Sequence, residues 1–346
     1  MGLNEKFFRS ADEGFFNTVT YTGNGGVQDN IAVGFQPDFV WFKVRDAVDH
    51  HALLDSVRGD DSVLYSNLTA QAGDWGGVNN TVDFVTNGFS LKRGKSETNL
   101  DSKEYVAWCW KAGGAAVSNT DGDLNSNVSA NVANGFSIVK GTGSGSGVQT
   151  VGHGLDSAPE LVLIKNINVV DDWWVYSSTT GVGKYLHLNT ADATANWLDN
   201  MVVNSTEIGI RQNSTGSWGN LIAYCFHSVA GVSKVGSYTG TGAAGNKITL
   251  DFKPSWIMMK KSSASGGDWL IVDNKRKESD GDLSELFANT SSAESGSGYN
   301  IDFNRDGFTL NTITSNANTS GATYIYYAVA KDTNETSLIP DTDLEL

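Results

Sequence analysis

The chain has 346 residues, 39 acidic against 24 basic side chains, and a formal net charge of -15. That balance disfavours a nucleic-acid partner and an anionic membrane surface, both of which need clustered Lys and Arg. Glycine is abundant at 39 residues, proline scarce at four, and aromatics supply 10%. The mix favours strands and tight turns over helices, with enough apolar bulk for a real core.

In chain order, residues 1–14 form a polar head holding Phe7 and Phe8. These two are candidates for a docking peptide or for an N-terminal strand covering the first unit. The start has no apolar h-region, so no cleaved secretory signal is expected and synthesis is assigned to a cytoplasm. From residue 15 the sequence repeats three times. "FNTVTYTGNGG", "FSIVKGTGSGSG" and "KVGSYTGTGAAG" open the copies, followed by "VGFQPDFVWFK", "HGLDSAPELVLIK" and "LDFKPSWIMMK". Aromatic strands close them: "YVAWCWKA", "LIAYCFHS" and "TYIYYAVA". Internal repeats of this kind predict like modules. The units are 15–114, 134–231 and 234–332, with a polar linker at 115–133 and an acidic tail at 333–346.

Each unit reads as seven or eight short strands separated by Gly, Asn and Asp turns. This predicts an all-β fold of three tandem β-sandwich or jelly-roll-like units. In "FVWFK", Phe39 and Trp41 share one face with Lys43, and Val40 and Phe42 share the other. Both faces are apolar, which predicts a central strand of a two-layer core. Lys43, Lys165 and Lys260 recur at the strand end, where an apolar stem and a hydrated head are expected. The best short helical candidate is "DLSELFAN", residues 282–289.

Few patterns suggest chemistry. Gly240, Gly242 and Gly245 match G-x-G-x-x-G, but a phosphate loop needs a helix behind it. "NKITLDF" alternates like a strand, so a hairpin is predicted. Asp121, Asp123, Asn125 and Asn127 resemble the start of a calcium loop, yet the sixth position is Ser126 and the twelfth Val132. Asp55 and Asp273 are equivalent, as are Arg58 and Arg276, with Tyr176 and Thr179 at those places in unit two. Asp83 and Asp302 correspond likewise. Such recurrence suggests structural bonds more than a catalytic pair, and no paired-carboxylate signature of glycan hydrolysis stands out. The five histidines lack metal-ligand spacing, and no cofactor or metal site is expected. Cys109 and Cys225 read as buried thiols. Trp75, Trp173, Trp174, Trp197 and Trp218 lie in segments rich in Asn, Gly, Asp and Ser. Flat aromatic faces beside amides and carboxylates suit sugar recognition, although core packing is the commoner fate of any one Trp.

"YTGNGG", "VGFQPDFVWFK", "LLDSVRG", "YVAWCWKAGGAAVSNTDGD" and "YCFHSVAGVSKVGSYTGTG" resemble a repeat domain of bacteriophage virion proteins. That domain is frequent in phages of marine and cyanobacterial hosts, often in tail-fibre or tail-associated proteins. The resemblance covers residues 15–332. It implies a virion structural or host-contact role without catalytic residues, a place on the virion surface, and contact with other virion proteins. It also suggests a homo-oligomer, with a trimer favoured by analogy. The expected function is binding of a host-surface glycan or other receptor without catalysis, membrane insertion or nucleic acid. The alternative is an architectural head-decoration, head-fibre or tail-joining protein, and a glycan depolymerase is less favoured. A head of about fourteen residues suits a separate tip or decoration subunit better than a long fibre.

Overall fold

The computed structural model describes residues 14–75, 81–143, 147–181, 183–196, 201–211, 220–277, 282–296 and 299–330. The fold is all-β. Its one helical element among the described residues is a single 3-10 turn, Val132–Asn134. No described helix is long and apolar enough to cross a membrane.

The same sheet is built three times in the same register. Strands Phe16–Thr22, Phe136–Thr142 and Ser233–Thr239 pair antiparallel with Glu104–Trp110, Asn220–Phe226 and Thr323–Ala330. On the other side of those closing strands lie Phe39–Val44, Leu161–Asn166 and Pro254–Lys261. Next come Ala52–Asp55, Trp174–Ser177 and Leu270–Asp273. Each unit adds a three-stranded sheet: Gln28–Ala32 with Gly88–Leu91 and Val82–Val85 in unit one, and its counterparts in units two and three. In unit one this small sheet packs Ile31, Val82, Phe89 and Leu91 onto Val40, Phe42, Ala107 and Cys109 of the large sheet. Each unit is thus a two-layered β-sandwich.

Residues 117–131 are not a free linker. Val117–Asn119 and Ser126–Asn131 extend the large sheet of unit two to eight strands. Asp123 there accepts bonds from the Thr150 amide and hydroxyl, which tie the turn between those two strands to strand Val148–Gly152 of the small sheet. "DLSELFAN" is extended as well, with strand Leu286–Phe287 at its centre. The glycines of "GSYTGTGAAGN" turn the chain from strand Ser233–Thr239 of the large sheet into strand Asn246–Thr249 of the small sheet; the two strands do not pair, so the expected hairpin is not formed, and no helix follows. Gly242 and Gly245 have φ of 66° and 87°, and a Cβ on Gly240 would stand 2.2 Å from the Thr319 carbonyl oxygen. Glycine alone tolerates both demands.

The second apolar face of each large sheet is not part of its own sandwich. Phe39, Trp41, Trp108 and Trp110 join Leu163, Tyr224 and Phe226 from unit two and Trp256, Met258 and Tyr327 from unit three in one central core. Rings meet across units, as in Phe39–Tyr224 at 4.3 Å, Phe226–Tyr327 at 4.7 Å and Trp110–Trp256 at 5.3 Å. The three sandwiches therefore surround a pseudo-threefold axis, with their large sheets facing inward.

Candidate functional site

Loops at equivalent places close the ring. The amides of Asp171, Gly266 and Asp49 donate to the carbonyls of Thr69, Ala191 and Ser291, each at 2.9 Å. In return the amides of Ala72, Thr194 and Glu294 donate to the carbonyls of Ile167, Ser262 and Arg45 at 3.0, 2.9 and 2.6 Å. Every unit so contacts both others. Trp173 and Trp269 cap the Tyr65 and His187 carbonyls of the preceding unit through Nε1, at 2.9 and 2.8 Å.

Beneath this layer lie two buried charge clusters. The Arg58 Nε donates to Asp55 Oδ2 at 2.6 Å, and Tyr224 of unit two donates its hydroxyl to the same oxygen at 2.7 Å. Between units three and one, Arg276 Nε donates to Asp273 Oδ2 at 2.7 Å and Trp108 Nε1 donates to that oxygen at 2.8 Å. The pair register places Ser177, not Tyr176, opposite Leu161 where units one and three have aspartate, so the second seam lacks the ion pair. These clusters hold units together; a catalytic role has no support in their partners.

Lys43, Lys165 and Lys260 are fully buried, which overturns the expectation of hydrated heads. Their ammonium groups donate to backbone carbonyls: Val44 and Ala47; Thr69 and Asp171; Lys261 and Gly267. Burial with no carboxylate against the nitrogen drops each pKa to about 8. Cys109 and Cys225 are buried thiols pushed upward, the latter to about 12, by desolvation.

The backbone bonds that close the ring join loops at the same ends of the strands, so strand direction gives the ring two poles. The base pole carries Phe16, Trp110, Phe226 and Ala330, so the described chain begins and ends there, and both connections between units leave from it. The opposite, crown pole carries the repeated glycine loops and the loops behind the buried lysines. Val27, Val48, Leu100, Val169, Val170 and Ile313, all exposed, lie on it.

Of the tryptophans singled out in sequence, Trp173 is fully buried and Trp75 is 6% exposed, so neither is a platform. Trp75 instead donates Nε1 to the Tyr65 hydroxyl, which Glu97 also holds. Trp197 and Trp218 lie outside the described residues, as do Phe7 and Phe8. Trp174 is half-buried near the outer edge of the eight-stranded sheet. His187 stands directly opposite it on the neighbouring strand, and Tyr185 lies two residues away on the same face. The ring centroids are 4.5 Å apart for Trp174–His187, 4.8 Å for Trp174–Tyr185 and 5.0 Å for Tyr185–His187. Asp171 Oδ2 lies 3.4 Å from Trp174 Nε1, and Asn189 Nδ2 donates to Asp172 Oδ1 at 2.7 Å.

The repeats supply an internal comparison. Strand register puts Ala52 and Leu270 at the place of Trp174, and Val63 and Glu285 at the place of Tyr185. The sandwich closes without aromatics at either position, whereas the place of His187 holds Tyr65 and Phe287, so Trp174 and Tyr185 are the members particular to unit two. Tyr185 and His187 were missed in sequence, because the signal lies in comparing aligned copies rather than in any local motif. No group of three His, Cys, Asp or Glu side chains among the described residues is placed to hold a metal ion.

Fold and site together define an all-β protein whose three sandwiches form one closed ring, with an aromatic and carboxylate cluster in the middle unit. The chain belongs to the family described as Domain of unknown function (DUF7483), whose model matches residues 11–333. That match takes in all three units, in keeping with a core they share. No curated protein and no solved structure matches the chain.

Proposed function

We propose that this chain is a non-catalytic surface protein of a bacteriophage particle that binds a host-surface glycan. The observation that carries this reading is the Trp174–Tyr185–His187 cluster, whose Trp174 and Tyr185 have no aromatic counterpart in the other two units. An aromatic face takes the C–H face of a pyranose ring, and the nearby Asp171, Asp172 and Asn189 offer acceptors and donors for its hydroxyls. The virion assignment rests on the sequence resemblance.

The experiment is binding of the purified protein to host cells and to their isolated polysaccharide, with free polysaccharide as competitor. Trp174→Ala is expected to abolish competed binding while the unfolding transition stays cooperative. Absence of wild-type binding at micromolar concentration, or undiminished binding by the variant, overturns the reading.

A further inference from the structure

A groove of about 510 Å³ opens at the base pole, between the 3-10 turn Val132–Asn134, the segment 156–160 and the connection into unit three. Its apolar lining includes Val132, 40% exposed, with Ala133, Ala158 and Val229. Its charged lining is Asp156, Glu160 and His227, and it contains no Lys or Arg. The carboxylate of Glu160 is committed to the Ser228 amide, and His227 Nε2 lies 3.4 Å from Asp156 Oδ1. Asp156 is otherwise turned to solvent, its side chain 63% exposed.

The start of the described chain lies beside this groove. The Phe15 carbonyl accepts the Lys111 amide at 3.0 Å, and the Lys111 carbonyl faces Asn131 Nδ2 at 3.4 Å. Asn131 in turn caps the turn whose first two residues line the groove. Phe15 is therefore within roughly 15 Å of Val132, by strand spacing and backbone reach. Six residues lie between Phe8 and Phe15, and the seven steps give an extended reach of roughly 23 Å. Ahead of Phe15 the sequence reads "KFFR": Lys6, Phe7, Phe8 and Arg9. Two adjacent rings flanked by two cations complement a mixed groove that offers four apolar side chains and a carboxylate on its rim.

We infer that the groove is the docking site of the chain's own Lys6–Arg9 segment, with Phe7 and Phe8 against Val132, Ala158 and Val229 and a cation against Asp156. Docking in this way ties the leading segment to the connection between units two and three, on the pole opposite the crown. The inference does not depend on glycan binding.

The segment carries its own reporter, since trypsin cuts after Lys6 and Arg9. Cleavage of the full chain at these two bonds is followed by intact mass. Asp156→Lys is expected to speed both cuts about threefold through loss of a surface ion pair. Val132→Asp is expected to speed them about tenfold through loss of apolar burial. Neither substitution touches the protease's recognition sequence, so altered rates report exposure alone. Asp156→Lys combined with Arg9→Glu should restore protection at Lys6. Equal rates in wild type and both groove variants, matching those of a free peptide of residues 1–14, overturn the assignment. Protection that grows over an about hundredfold rise in protein concentration also overturns it, because the segment then docks on a second copy.

Discussion

Replacing Lys43, Lys165 and Lys260 together by methionine tests the burial of three ammonium groups in one measurement. In the folded chain these groups titrate at about 8, against an ordinary 10.5. Below pH 8 both folded and unfolded chains carry the proton, and the folded chain bears the whole cost of burying it. Between the two values the unfolded chain holds more protons, so stability rises with pH. From about pH 7 to about pH 9 the gain is about 1 kcal/mol for each lysine and about 3–4 kcal/mol for the three, as an order of magnitude. Cys109 and Cys225 act the other way, because their raised pKa values favour the unfolded chain once its thiols ionise above about 9. The triple methionine variant keeps the thiols and loses the lysines, so the difference between the proteins isolates the ammonium effect. Urea unfolding across this range should show the variant at least as stable as wild type near neutrality. Wild type should then gain on it by about 3 kcal/mol as pH rises to about 9. A constant difference at every pH would refute the reasoning, and would mean that the carbonyl cages solvate the ammonium groups as well as water does.

Tyr224→Phe removes the hydroxyl between Asp55 and Arg58 and should cost about 1.5–3 kcal/mol by chemical denaturation, whereas Tyr176→Phe should cost under about 1 kcal/mol. Gly240→Ala forces a Cβ against the Thr319 carbonyl and should cost more than about 2 kcal/mol. Cys109 and Cys225, both fully buried, should resist alkylation until global unfolding, so their labelling rate should track denaturant rather than reagent concentration.

The repeat, the strand class and the strand after Gly245 were legible because each rests on local alternation and turn chemistry; that this strand crosses to the other layer instead of pairing back was not, because partner choice is a tertiary matter. The burial of the lysines was half legible. Alternation in "FVWFK" already put Lys43 on the face of Phe39 and Trp41, but what that face meets is another unit. A ring of sandwiches and a single sandwich print the same two-sided apolar strand, so the sequence could not tell them apart. Trp173 misled for the same reason: its polar neighbours line a seam, not a surface. Segment 117–131 looked like a linker because Asn and Ser dominate it, yet it sits at a sheet edge, where half of each strand's polar groups face water anyway.

Three identical subunits on an axis must accept every substitution in triplicate, wherever it falls. Threading the triangle onto one polypeptide lifts that constraint. The middle corner can carry Trp174 and Tyr185 where the first has Ala52 and Val63, and can give up the aspartate for Ser177, while the other two corners go on holding the assembly shut. Covalent tethering thus converts a symmetric scaffold into one whose corners are free to diverge.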